Sequence, residues 1–519
     1  MPNHSRGRAK QSNFFFRSGE TARRSHRLAV ASSCSIAAMI AFTAFGLSPS
    51  SARGQSREAI VGSCPADAIA VDAGSPIQDA VDAAPAGSKF CIQAGIHRMQ
   101  SVVPKAGQVF IGQSGAILDG ARVLSGFTYD GGYWVVSDPD QPSSPYGYCK
   151  SDHPECADAA GVFVNGHGLT QVAAKSELEP GEFFFDAAHH LIVIADDPAG
   201  KLIEAASTEF AFSGPANDVI IQNLIVEKYR NPAQMGAVNG ASARGWHVEN
   251  SEFRLDSGAG VSVGSDGEIR NCNIHHNGQL GAGGHGTNIV LAGNKVWANN
   301  TAMFNPDWEA GGIKIALGKN ITFDNNYVHD NDGPGIWCDI DCNNVVYDHN
   351  TVEDNSDAGI FFEISTNATI HDNVLRGNGK AQSSWYWGAD IQIAASQDVS
   401  VCDNHITVRP GGRAIMLIDQ SRLKDDGGYY QTRDDLVCRN DVRFLGTGSL
   451  GGASDAFPWT HNYSIIENGN NRFVDNRYRY KPSDAPVFAW GHERLDFEEF
   501  QRRGQDVGST LTTDQAAAE

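Results

Sequence analysis

Two stretches of the chain carry acids at matching places. "GPGIWCDIDCNN" spans residues 333–344 and "DAGIFFEISTN" spans 357–367, so Asp339 and Glu363 fall at the same point of a shared hydrophobic pattern, with Asp341 two residues on. Aligned with "GIKIALG" at 312–318 and "DIQIAAS" at 390–396, the pattern reads as four stacked strands. Successive strand residues point to opposite faces. Ile313, Ile336, Ile360 and Ile391 then form one inward row and Ile315, Cys338, Phe362 and Ile393 another, which makes Cys338 a core thiol. The outward rows are Lys314, Trp337, Phe361, Gln392 and Ala316, Asp339, Glu363, Ala394, with Asp341 beside Ser365.

On stacked strands Asp339 and Glu363 lie about 5 Å apart, Asp339 and Asp341 about 7 Å, and Asp341 and Glu363 about 8 Å. Carboxylates this close raise one another's pKa, so one can hold a proton at neutral pH and act as general acid while another stays ionised. Glycosidic-bond hydrolysis needs such a pair. The diagonal falls in the inverting range of roughly 6.5–9.5 Å and the lateral pair nearer the retaining one, so both outcomes stay open. Lys314 and Glu309, at the end of the preceding loop, complete the candidate catalytic set. The three carboxylates could instead cage a hard cation, so Ca2+ is the one cofactor these residues allow, with no metal ligand assigned. The inserts "NNTAMFNPDWEAGG" (299–312) and "GNGKAQSSWYWGA" (377–389) lead into this face. They bring Trp308, Trp385 and Trp387, which with Trp337, Phe361 and Gln392 on the floor are the expected contacts to sugar rings in a groove.

A repeat positions these residues. From residue 217 onward "VIIQNLIV", "GEIRNCNI", "VLAGNKV", "TFDNNYV", "VYDHNTV", "TIHDNVL", "VCDNHI" and "CRNDV" align Asn223, Cys272, Asn294, Asn326, Asn350, Asn373, Asn404 and Asn440 in one column, which Ser251 joins. Each period holds three short β-like runs and buries too little apolar surface alone, so it must stack on its neighbours. A recurrent turn asparagine suits the left-handed conformation and can bond its copy in the next coil. "SPIQDAVDAAPAGSKFCIQAGIH" (75–97) offers Ser75 as N-cap, Pro76 at the first helical position and Gln78 as capping-box partner, for a helix that covers the end of a stack. His275, His276, His329, His349 and His371 fall in turns or on other sheets and read as polar coil residues. The expected organisation is a signal peptide at 1–52, a cap and first coils at 53–127, a small β insertion at 128–210 with Asn165-Gly166 as a hairpin turn, the coils at 211–480, and a C-terminal cap and disordered tail at 481–519. In that last segment "RLDFEEFQRR" forms an amphipathic helix.

The "IQDAV" cap, the asparagine column and repeats of the type "NNYVHDNDGPGIW" resemble the right-handed parallel β-helix proteins of the pectate-lyase-like superfamily, over residues 75–126 and 211–480. The resemblance implies an all-β solenoid whose active groove lies on one parallel sheet and its preceding loops, in a secreted carbohydrate-active protein. It leaves the reaction open, since lyases, hydrolases, epimerases, esterases, adhesins and phage tailspikes share the fold. The leading expectation is a glycoside hydrolase with Asp339, Asp341 and Glu363 as acid and base. The alternatives are a polysaccharide lyase with Lys314 as base on a uronate beside Ca2+, and a glycan-binding adhesin without turnover.

Arg23, Arg24 and Arg27 precede an apolar run from Leu28 to Leu47 that ends in "SSA", the make-up of an export leader of the Sec or twin-arginine type. Such a protein reaches the periplasm or the outside, where disulfides form. Cys64 with Cys91 and Cys149 with Cys156 are the local pairings; Cys402 and Cys438 each precede a column asparagine by two residues and so stack within bridging distance. With 61 acidic against 40 basic residues the net charge is −21, and the leader holds seven of the basic ones. That balance argues against nucleic acid and, once the leader is removed, against an anionic membrane as partner; a polysaccharide or oligosaccharide remains.

Overall fold

A computed structural model describes residues 64–138, 146–158, 161–380, 385–424, 426–447, 449–460, 464–481 and 487–513. The expected signal peptide lies outside them, and no helix of the described residues is long and apolar enough to cross a membrane. Short strands, each ended by a turn, wind the chain so that the strands of successive coils pair in parallel with their equivalents one coil later. The result is a parallel β-helix with a 13-stranded sheet along one wall and a larger, 23-stranded ribbon folded round the others. Its interior is the inward rows: Ile313 pairs with Ile336, Ile360 and Ile391 in turn, and Ile315 with Cys338, Phe362 and Ile393, all at most 1% exposed.

Asparagine ladders hold the corners. The side-chain amide of Asn294 donates to Oδ1 of Asn326, and the same bond recurs through Asn350, Asn373, Asn404, Asn440 and Asn476, at 2.9–3.0 Å. Two details differ from the sequence reading. Leu224, not Asn223, occupies the column, donating its N–H to Ser251 Oγ, while Asn223 is the left-handed residue before it. The same offset holds in later coils, where His349, Asp372, Asp403 and Arg439 take positive φ and the ladder asparagine follows them. The αL residue turns the chain, and the next one supplies the amide. A second ladder, not read from the sequence, joins Asn277, Asn299, Asn331, Asn355 and Asn378 and ends on Asp390 Oδ1.

At the N-terminal end a helix, Ile77–Ala83, turns Ile77 and Val81 into the core. Its cap is not Ser75: the Ile77 N–H donates to Gln100 Oε1, and Gln78 Oε1 accepts from Val103. Two small, largely antiparallel sheets depart from the coils between residues 121 and 206, one with Asn165 and Gly166, both at positive φ, in its hairpin turn. The structure pairs Cys64 with Cys91, Cys149 with Cys156 and Cys402 with Cys438. It also pairs Cys338 with Cys342, so Cys338 is inside but is no free thiol. Cys272, buried in the ladder column, is the free cysteine of the described residues, and burial pushes its thiol up to about 12.

Candidate active site

Strands Gly311–Asp324, Ile336–Asp339 and Ile360–Glu363 lie side by side, with Lys314 opposite Trp337 and Phe361, and Ala316 opposite Asp339 and Glu363. The outward rows are therefore in the register expected. The short helix Pro306–Glu309, capped by Asn305 accepting from the Asp307 N–H, brings Glu309 back over the first strand. Lys314 Nζ stands 3.0 Å from Asp339 Oδ2, 3.3 Å from Glu309 Oε2 and 3.6 Å from the centre of the Trp337 ring. Burial works to lower the Lys314 pKa, but the carboxylates of Glu309 and Asp339 outweigh it, and the ammonium is held above its ordinary range.

At Glu363 burial prevails instead. Burial, followed by the charge of Asp339 alongside, pushes its carboxyl up to about 7 against the restraint of Gln420, Arg422 and Lys314. Gln420 Nε2 donates to Glu363 Oε1 at 2.6 Å, and Arg422 approaches the same oxygen at 3.5 Å. Asp339 keeps Oδ2 for Lys314, while its buried Oδ1 has no hydrogen-bond partner, nor has the indole N–H of Trp337 or Oε1 of Gln420. Three orphaned polar atoms in one place are costly unless a ligand or water meets them. The site thus offers a protonatable carboxyl, a second carboxyl with an unbonded oxygen, and a fixed cation between neighbouring acids.

Asp341 is elsewhere. The strand ends at Asp339; Ile340 and Asp341 both take positive φ, and Ser365 pairs through its hydroxyl with the Cys342 N–H rather than lying beside Asp341. One extra residue in this coil turns Asp341 out to solvent, where Tyr430 donates its hydroxyl to Oδ1 at 2.6 Å. The expected diagonal pair with Glu363 is lost.

The expected aromatic floor is not an open one. Trp337 and Phe361 stack at 5.1 Å and are 4% and 7% exposed, in a cluster that Trp385 and Trp387 cover. The Trp385 and Trp387 indoles donate to the backbone oxygens of Asp455 and Ala456, which pins their loop to a later coil. Gln392 is buried, its Oε1 accepting from the Gly388 N–H, and clamps the same loop. Trp308 sits apart, edge-on to Tyr146 and Tyr148. The sequence reading missed Gln420, Arg422 and Tyr430, all on the polar insert "QSRLKDDGGYYQTRDD" between two coils (420–435), whose length was the available signal. As for a cation, the Asp and His groups close enough to share one among the described residues are Asp324, Asp348 and His349, and Asp348, His371 and Asp372, on another part of the coil; Lys314 already fills the space between Glu309 and Asp339.

A family model described as a right-handed β-helix region matches residues 236–398. No curated protein matches the chain by sequence. Among solved structures, the complex of XylC with xylose aligns over 85% of this chain and 83% of its own, at 13% identity and a TM-score of 0.61. The A-module of the Azotobacter vinelandii mannuronan C-5 epimerase AlgE6 aligns over 84% and 94%, at 14% identity and a TM-score of 0.45. The catalytic unit of a GH87 α-1,3-glucanase from Streptomyces thermodiastaticus aligns over 88% and 69%, at 11% identity and a TM-score of 0.45. The fold is that of a right-handed parallel β-helix.

Proposed function

We propose that this chain is an exported enzyme that hydrolyses glycosidic bonds of a polysaccharide, with Glu363 as proton donor and Asp339 as the carboxylate that stays ionised. The observation that carries the reading is the register of Asp339 on Glu363 with Lys314 on the far side of Asp339. Lys314 pairs with Asp339, while burial first and then the neighbouring charge of Asp339 favour the protonated form of Glu363. Neighbouring strands set the Cβ atoms of the two about 5 Å apart, which suits a retaining pair, whose carboxyl groups lie about 5–5.5 Å apart. Asp339 Oδ1 attacks the anomeric carbon while Glu363 gives its proton to the departing oxygen. Glu363, now a carboxylate, takes a proton from the water that releases the sugar from Asp339. Gln420 and Arg422 lie over Glu363, so the sugar enters by displacing them. XylC, a β-helix of similar shape, was solved with xylose bound. Four disulfides fit an oxidising compartment.

The lyase alternative needs a neutral amine at Lys314, and the two carboxylates hold that amine protonated. The test is a screen of neutral and acidic polysaccharides with the full chain, reading new reducing ends together with the ultraviolet absorbance of unsaturated uronates. Hydrolysis gives reducing ends without absorbance, elimination gives both, and a non-catalytic binder gives neither. Glu363→Gln lowers turnover about 10²–10⁴-fold, the usual worth of a general acid, and Asp339→Asn, which removes the nucleophile, lowers it at least as far. Full activity in both variants removes the assignment.

A further inference from the structure

Large apolar side chains exposed singly are ordinary on a protein surface, but grouped aromatic rings ask for an occupant. Two such groups flank the acid pair. On the N-terminal side Tyr146 and Tyr148, 51% and 61% exposed, stand edge-on to Trp308 at 5.7 and 5.6 Å. They are tied to the acids: the Tyr146 hydroxyl donates to Gln234 Oε1 at 2.9 Å, the Gln234 amide donates to Glu309, and Glu309 meets Lys314. On the C-terminal side Phe457 and Trp459, 40% and 71% exposed, stack at 4.8 Å with their planes only 2° apart. Thr460 closes this turn with its hydroxyl on the Phe457 carbonyl at 2.8 Å. The turn follows Ala456, which Trp387 holds, and Trp387 meets Phe361 beside Glu363 at 6.4 Å. From Glu363 the outward row continues through Ala394 and Ile418 to Ser454, three strands on. Three strand spacings are about 14 Å, several sugar units.

We infer that the rings of Tyr146 and Tyr148 and those of Phe457 and Trp459 are two binding stations for one linear polysaccharide, which runs along the helix axis across the acid pair and is cut in its interior. This rests on the hydrolase reading for the cut, and on the exposed rings alone for the binding. Flat apolar faces with a polar rim fit the C–H faces of sugar rings, and stations on both sides of the acids leave no blocked end at which a chain terminus would seat.

The test separates the two levels. Arabinoxylan, mixed-linkage β-glucan and alginate are each cast into native gels, and the migration of the full chain carrying Glu363→Gln is measured with and without Trp459→Ala or Tyr148→Ala. At least one polymer retards the parent, and each alanine weakens the retardation on the order of tenfold, the size expected for losing one stacked ring. Trp459→Phe, which keeps a ring, retains most of it and so separates stacking from misfolding. The chain with Glu363 intact, given the retarding polymer, releases medium-length fragments first and collapses its viscosity early. Retardation unaffected by either alanine, no retardation by any of the three polymers, or single sugars as the first product overturns the proposal. Ring-dependent retardation with no fragments at all supports the stations and removes the hydrolase reading. Fragments that require Glu363 but not the rings keep that reading and remove the stations.

Discussion

Glu363 is the residue whose protonation sets the rate in this scheme. It acts as an acid only while protonated, and its carboxyl is pushed up to about 7 first by burial and then by Asp339. Activity therefore falls as pH rises through about 7. Gln420 donates to the carboxylate and so favours the charged form; Gln420→Leu withdraws that bond, and the alkaline limb of kcat/KM moves to higher pH. A limb that stays in place in this variant, measured as a pH–rate profile, takes the acid role away from Glu363. The pairing of Asp339 with Glu363 was legible because a strand period of two and a repeated "GI" pattern fix both face and register. Asp341 was misread because Asp339 pairs with Glu363 but Asn343 pairs with Thr366, a step shorter by one residue that puts Ile340 and Asp341 in a turn. Gln420, Arg422 and Tyr430 were not legible: they arrive from an insert with no apolar periodicity, and nothing local encodes where such a loop lies.

At the scale of the element, the coils are held by two amide ladders, and the sequence revealed one. The visible column is framed by alternating apolar residues, whereas Asn277, Asn331, Asn355 and Asn378 sit in turns with glycine or aspartate close by, and Asn299 at the start of a long insert, all of which look like any loop. The second ladder ends on an acid. Asp390 Oδ1 accepts from the N–H and the side-chain amide of Asn378, at 3.2 and 2.8 Å, inside the protein. Burial pushes its carboxyl from 3.8 up to about 7, only partly opposed by those bonds. A group whose folded pKa is raised supports the fold fully below its unfolded pKa, and that support is lost as pH rises through the folded value. Stability should thus decline from about pH 4 to above pH 7 through Asp390, with Glu363 adding to the same decline. Asp390→Asn keeps the accepting carbonyl and removes the charge. Its melting temperature is expected to fall less than that of the native chain between pH 5 and pH 8, with the variant the more stable at pH 8. An unchanged difference would mean that Asp390 is ionised at both pH values.

The whole molecule faces a problem that no single coil shows: a stack of similar rungs has an apolar interior that must end somewhere. The sequence signalled both ends, the first by "IQDAV" and the last by "RLDFEEFQRR". The second end is the helix Phe497–Arg502, with Asp496 and Glu499 completing a capping box, and it drives a fully buried Phe500 onto Phe473, Phe488 and Trp490. Phe500→Ala removes that plug at a cost of about 3–5 kcal/mol. Each coil touches only its neighbours, so the damage is expected to travel as local opening from this end. The Cys402–Cys438 bond, closing a loop of 36 residues, ties two coils together and is worth about 3–4 kcal/mol by chain entropy. Opening should stop there. Hydrogen exchange in the variant then quickens in Arg472–Val474 and Val487–Trp490, while Ile336–Asp339 and Ile360–Glu363 keep native protection and the acid pair keeps its geometry. Reducing the disulfides in the same variant lets the opening advance toward the acids. Equal loss of protection along every coil, with disulfides intact, would show instead that the solenoid melts as one unit and that its ends have no special hold on the site.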